Sequence, residues 1–88
     1  MDVERINYLI KYYLKIYDGR KKPTYERVKN DIVSQAYRKQ QNYLINAISD
    51  CFDNLENCGV ISVIPFSDLT SQQQEEVRNN SEIYYIIN

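Results

Sequence analysis

Between residues 2 and 17, apolar side chains recur at Ile6, Leu9, Ile10, Tyr13, Leu14 and Tyr17. That spacing is the roughly 3.6-residue period of one helix face. Asp2 is placed to cap this helix, and Glu4 falls in its first turn, where the helix dipole favours an acid. Asp18-Gly19 ends it, with Gly19 suited to a left-handed C-cap. Arg20-Lys21-Lys22-Pro23 then reads as a basic loop. Thr24 opens a second helix as its N-cap, with Tyr25, Val28, Ile32 and Ala36 on one face. The five polar residues Arg38-Lys39-Gln40-Gln41-Asn42 interrupt the pattern. A third helix follows, with Leu44, Ile45, Ile48, Cys51, Phe52 and Leu55 inward, and ends at Cys58-Gly59. No Gly or Pro separates the second and third helices, so one helix from Thr24 to Asn57 is the alternative.

The period then changes. Val60-Ile61-Ser62-Val63-Ile64 is short, β-branched and bounded by Gly59 and Pro65, which predicts a strand. Ile83-Tyr84-Tyr85-Ile86-Ile87 is its antiparallel mate. Residues 65–82 are a long polar connection, within which Thr70-x-x-Gln73 or Ser71-x-x-Gln74 can act as a capping box for a short helix through Val77. The expected fold is thus α+β, one domain over residues 1–88.

Composition narrows what such a domain can do. Eighty-eight residues with two cysteines and no histidine cannot supply a full set of zinc ligands. The commonest general base is missing, and two distant glycines make no phosphate loop, so neither enzyme activity nor a cofactor is expected. No apolar run reaches membrane-spanning length, and no signal-peptide pattern opens the chain, which leads to an expected cytoplasmic location. The net charge of −1 conceals a division. Residues 1–40 hold ten Lys/Arg against five acids, whereas residues 41–88 hold Arg78 against seven acids. One basic and one acidic face are expected.

Leu55-Glu56-Asn57-Cys58-Gly59-Val60-Ile61 joins the third helix to the first strand. Leu55 can anchor the last turn, and Gly59 can take the positive φ that turns the chain into the strand. This junction, in the order helix, helix, helix, strand, loop, strand, resembles that of winged helix-turn-helix DNA-binding proteins. The resemblance spans roughly residues 3–87. The turn before the third helix lacks the glycine many members carry, and Arg78 is the only cation in the would-be wing.

The resemblance implies three helices followed by a two-stranded antiparallel hairpin with a long wing loop. It also implies that the third helix enters the major groove of double-stranded DNA. Arg38 and Lys39 would then neutralise phosphates, and the amides of Gln40, Gln41 and Asn42 would read adenine edges, with Tyr43 and Asn46 further along. Arg20, Lys21, Lys22 and Thr24 would meet the flanking backbone, and Arg78 would be the wing contact. Asp50 and Asp53 restrict the approach to the first turns of the helix. A domain of this kind would act as a small repressor. Alternatively, it is similar to the small centromere-binding adaptors of tubulin-type plasmid or phage partition systems, with a further protein partner. The rival reading is a winged-helix protein-interaction adaptor that does not touch DNA, which the acidic second half favours.

The tyrosines leave two readings open. Tyr8, Tyr12, Tyr13 and Tyr17 could fill the core. They could instead build a homodimer seam on Tyr8, Tyr12 and Tyr13, together with Ile86 of the last strand. Cys51 and Cys58 lie two helical turns apart, roughly 10 Å by helix rise. That is beyond disulfide reach, and both are expected to be reduced core residues. Gln73, Glu75, Glu76 and Glu82 are expected on a solvated face.

Overall fold

The computed structural model describes residues 1–17 and 23–88. Four helices and a two-stranded antiparallel hairpin form an α+β domain: α1 (Val3–Tyr17), α2 (Tyr25–Val33), α3 (Gln41–Asn57), β1 (Ile61–Val63), α4 (Ser71–Asn80) and β2 (Tyr85–Ile87). Single 3-10 turns at Arg38–Gln40 and Phe66–Asp68 precede α3 and α4.

Asp2 caps α1 as expected, its Oδ1 accepting the Arg5 amide at 2.8 Å. The α1 stripe of Ile6, Leu9, Ile10 and Leu14 packs on Val28 and Ile32 of α2 and on Leu44, Ile48, Cys51, Phe52 and Leu55 of α3. Ile61 and Tyr85 close this core from the hairpin. Phe52 lies at its aromatic centre, with ring centroids 4.9 Å from Tyr25 and 5.0 Å from Tyr85.

The single-helix alternative for residues 24–57 does not occur. The Ser34 amide still bonds to the Asn30 carbonyl, but Tyr37 is extended (φ −61°, ψ 145°), and the chain turns before re-entering a helix. Three consecutive hydrophilic residues, Arg38, Lys39 and Gln40, then find no core to cover. At the other end of α3, Gly59 has φ 76°. The Val60 amide bonds to the Leu55 carbonyl at 2.9 Å and the Gly59 amide to the Glu56 carbonyl at 3.0 Å. These are the two bonds of a Schellman cap. Cys58 lies on this cap and is exposed, so only Cys51 is a core cysteine.

The strands are shorter than their apolar runs. Ile61 faces Ile87, Ser62 faces Ile86 and Val63 faces Tyr85. The outer edge of β2 is covered by the chain entering α2: the Tyr85 amide bonds to the Pro23 carbonyl, and the Tyr25 amide to the Ile83 carbonyl. Thr24 bridges Tyr84 between them.

The connection between the strands is not an open loop. Of the two capping boxes the sequence allows, Thr70 and Gln73 form theirs reciprocally and open α4. α4 buries no residue. It stands beside a small second cluster in which Leu69 and Tyr84 are buried.

Candidate nucleic-acid interface

Leu44, Ile48 and Cys51 turn one face of α3 into the core. The period of the helix therefore sends Asn42, Tyr43 and Asn46 outward, and all three are exposed. Tyr43 is 80% exposed, too bare for a packing role. Gln41 is half-buried, whereas Arg38, Lys39 and Gln40 are exposed in the 3-10 turn. Gln40 occupies the N-cap position of α3 with no side-chain cap bond, so the first amides of the helix keep their donors for another partner.

The electrostatics of this turn follow directly from the sequence. Residues 32–49 contain Arg38 and Lys39 and no acid. Other cations are engaged within the fold: Arg27 lies over the Tyr17 ring and near Asp31, and Lys29 pairs with Glu26 at 2.7 Å. Among the described residues, Arg38 and Lys39 have no such partner within the chain. The acids of α3 come later, at the exposed Asp50, Asp53 and Glu56. The helix thus runs from a cationic, amide-rich start to an acidic end. A cavity of about 220 Å³ lined by Met1, Ala36, Lys39, Gln40, Tyr43 and Leu44 adjoins the start.

The remaining candidates are placed differently. Arg20, Lys21 and Lys22 lie outside the described residues. Thr24 is withdrawn from the surface: it is 1% exposed, and its Oγ1 accepts the Arg27 amide. A good N-cap residue between an edge strand and a helix is buried by the work of capping, which removes Thr24 as a direct contact. Arg78 is exposed on α4, its guanidinium 5.1 Å from the Phe66 ring centre.

On α1 the tyrosines divide by role. Tyr17 donates its hydroxyl to Asp31 and Tyr13 accepts from Gln35 at 2.7 Å, and both rings pack against the core. Burial, and then the Asp31 carboxylate, push the Tyr17 hydroxyl above its usual range. Tyr8 and Tyr12 are 54% and 47% exposed, and their rings stack 6.3 Å apart. With Arg5, Leu9, Tyr13 and Gln35 they line an open depression of about 510 Å³. Ile86 is exposed on β2. Core filling is therefore correct for Tyr17 and for part of Tyr13, but not for Tyr8 or Tyr12.

The acids of the connection are not all solvated, contrary to the sequence expectation. Glu76 accepts the Tyr84 hydroxyl, and Gln73 is consumed by its capping box. Glu82 is half-buried, with an Oε2 that finds no hydrogen-bond partner. The neighbouring Ile83-Tyr84 pair was the available signal, since an acid beside two large apolar residues is drawn partly under them. Among the described residues no group of His, Cys, Asp and Glu is arranged to hold a metal ion, and no helix is long and apolar enough to cross a membrane. Comparison with protein-family models, curated proteins and solved structures finds no match to this chain.

Proposed function

We propose that this chain is a winged-helix domain that binds double-stranded DNA as a homodimer, with the start of α3 in the major groove. One observation carries the reading: Arg38 to Asn46 form an exposed, acid-free helix start with uncommitted cations, amides and backbone donors. Arg38, Lys39 and the first amides of α3 suit phosphate oxygens. Gln41, Asn42 and Asn46 carry the donor–acceptor pairs that match adenine in the major groove. The Schellman junction after α3 and the hairpin that follows support the winged-helix reading, with α4 standing where a wing would be an open loop.

Tyr8 and Tyr12 supply the dimer seam in this reading. Two stacked, half-exposed rings on a rigid helix are the kind of amphipathic surface that interfaces favour. A two-fold axis there would present two α3 starts to one face of DNA, spaced by about one helical turn, roughly 34 Å.

The test is duplex binding across a salt series. Each phosphate neutralised should contribute a log–log slope of about −0.9. Lys39→Ala should reduce that slope by about one phosphate and weaken all sequences alike. Asn42→Ala should cost about 1–3 kcal/mol on the cognate site and relax its specificity. A flat salt response on every duplex tried would overturn the reading and favour a protein-binding adaptor.

A further inference from the structure

A second site lies between the strand ends and the chain that carries α4. Val63, Phe66, Leu69, Ile83 and Tyr84 line a cavity of about 230 Å³ whose surface is almost wholly apolar. Glu82 also lines it, and the Oε2 of that carboxylate is buried without a hydrogen-bond partner. The other hydroxyl at the wall is already engaged, because Tyr84 donates to Glu76. A buried, unpaired carboxylate oxygen in an apolar hollow is costly, and a cation or donor from outside relieves the cost.

We propose that this cavity receives the ammonium of a lysine side chain presented by a basic protein partner. The lysine stem of four methylenes matches the apolar walls, and its compact charge matches one acceptor oxygen at the inner end. A guanidinium needs a two-oxygen fork to use its geometry, which a single buried oxygen does not offer. The rim argues for a macromolecule over a free amine. Val63, Phe66 and Ile83 stand around the mouth at 42%, 41% and 42% exposure, apolar surface that the neighbours of such a lysine would cover. Charge argues the same way: residues 41–88 hold seven acids and one cation. That cation, Arg78, already lies against the Phe66 ring, so the rim accommodates positive charge. The proposal is independent of the DNA-binding reading, which uses the opposite charge and the start of α3.

The experiment follows methyl resonances of Val63, Leu69 and Ile83 in the full chain by NMR. Three probes are titrated: n-butylammonium, its neutral isostere n-butanol, and a blocked tripeptide with lysine between two leucines. Butylammonium should saturate with a Kd on the order of millimolar, as befits so few atoms. The tripeptide should bind about tenfold more tightly, since its leucines cover the rim. Glu82→Gln should weaken both by about tenfold or more, as expected for loss of a hydrogen bond to a charged group. Val63→Trp, at an exposed rim position, should block the mouth, and it serves as the test should Glu82→Gln disturb the fold. Equal binding of butanol, or no effect of either substitution, would overturn the lysine assignment. A tripeptide no tighter than butylammonium would overturn the protein partner.

Discussion

α3 and α4 are held in place by opposite means. α3 buries Leu44, Ile48, Cys51, Phe52 and Leu55 and is gripped from three sides by α1, α2 and β1. α4 buries nothing and is tied by its capping box, by the Gln74 side chain to the Phe66 carbonyl at 2.9 Å, and by the Tyr84–Glu76 bond. The difference teaches where each can carry function. A helix anchored along one whole face can leave its first turn bare and still present it rigidly. A helix held by a few polar ties is displaceable without disturbing the core. The first expectation is therefore large and global. Phe52→Ala should cost about 3–5 kcal/mol, a large part of what a domain of this size possesses. Chemical denaturation followed by far-UV circular dichroism should show α3 and the hairpin lost together. A loss below about 1 kcal/mol would mean that the core is not centred on Phe52.

Alkaline pH should attack the same centre. Burial pushes the Tyr85 hydroxyl up to about 12, with the Glu56 and Asp53 carboxylates adding to the effect. Tyr84 is raised further in the same direction, first by burial and then by Glu76. The native state thus keeps these protons after the unfolded chain, titrating near 10, has lost them. Stability is fully present below about pH 10 and falls as pH rises towards 12, by about 2–3 kcal/mol for Tyr85. Tyrosinate absorbance should rise together with loss of ellipticity in that window. Tyr85→Phe should shallow the slope, and an unchanged slope would show that Tyr85 ionises without unfolding.

Tyr84→Phe sharpens the contrast between the helices. It keeps the ring in its small cluster but removes the donor to Glu76. The expected cost is about 1–2 kcal/mol, and it should fall on α4. Hydrogen exchange should speed at Ser71–Asn80 while the amides of α3 keep their protection. Equal acceleration in both helices would mean that α4 opens only with the core.

Both helices were legible in the sequence, by different signals. For α3 the signal was the spacing of Leu44, Ile48, Cys51, Phe52 and Leu55, which buries a face wherever the helix packs. For α4 there was no such stripe, and only the Thr70-x-x-Gln73 box marked it. The junction at Gly59 was equally readable, because a positive φ is a local demand. What the sequence could not supply was set by tertiary neighbours. Thr24 is buried because Pro23 and Tyr25 pair with the far edge of β2, a contact some sixty residues away in sequence. The solvation assigned to Glu76 and Glu82 failed for the same reason: their surroundings come from Tyr84 and from the wall of a cavity, not from their own segment. At the start of α3, exposure followed from the core stripe opposite, so its candidate residues were found by elimination from the buried ones.

The smallest expected effect is also the most discriminating. Thr70 Oγ1 accepts the Gln73 amide at 3.2 Å, and the Gln73 side chain accepts the Thr70 amide at 3.0 Å. Thr70→Ala removes the first of these and should cost about 1 kcal/mol. Asp2 performs the matching task on α1, and Asp2→Ala should cost a similar amount. The two costs should appear in different places. α1 is packed along Ile6, Leu9, Ile10 and Leu14, so loss of its cap is felt by the whole fold and lowers the denaturation midpoint. α4 has ten residues and no buried side chain, and helices so short are marginal without packing. Loss of its cap should fray α4 alone, seen as faster amide exchange there with the global midpoint unchanged. If Thr70→Ala lowers the midpoint as much as Asp2→Ala, α4 is an integral part of the cooperative unit. The contrast with α3 would then lie in burial and not in stability.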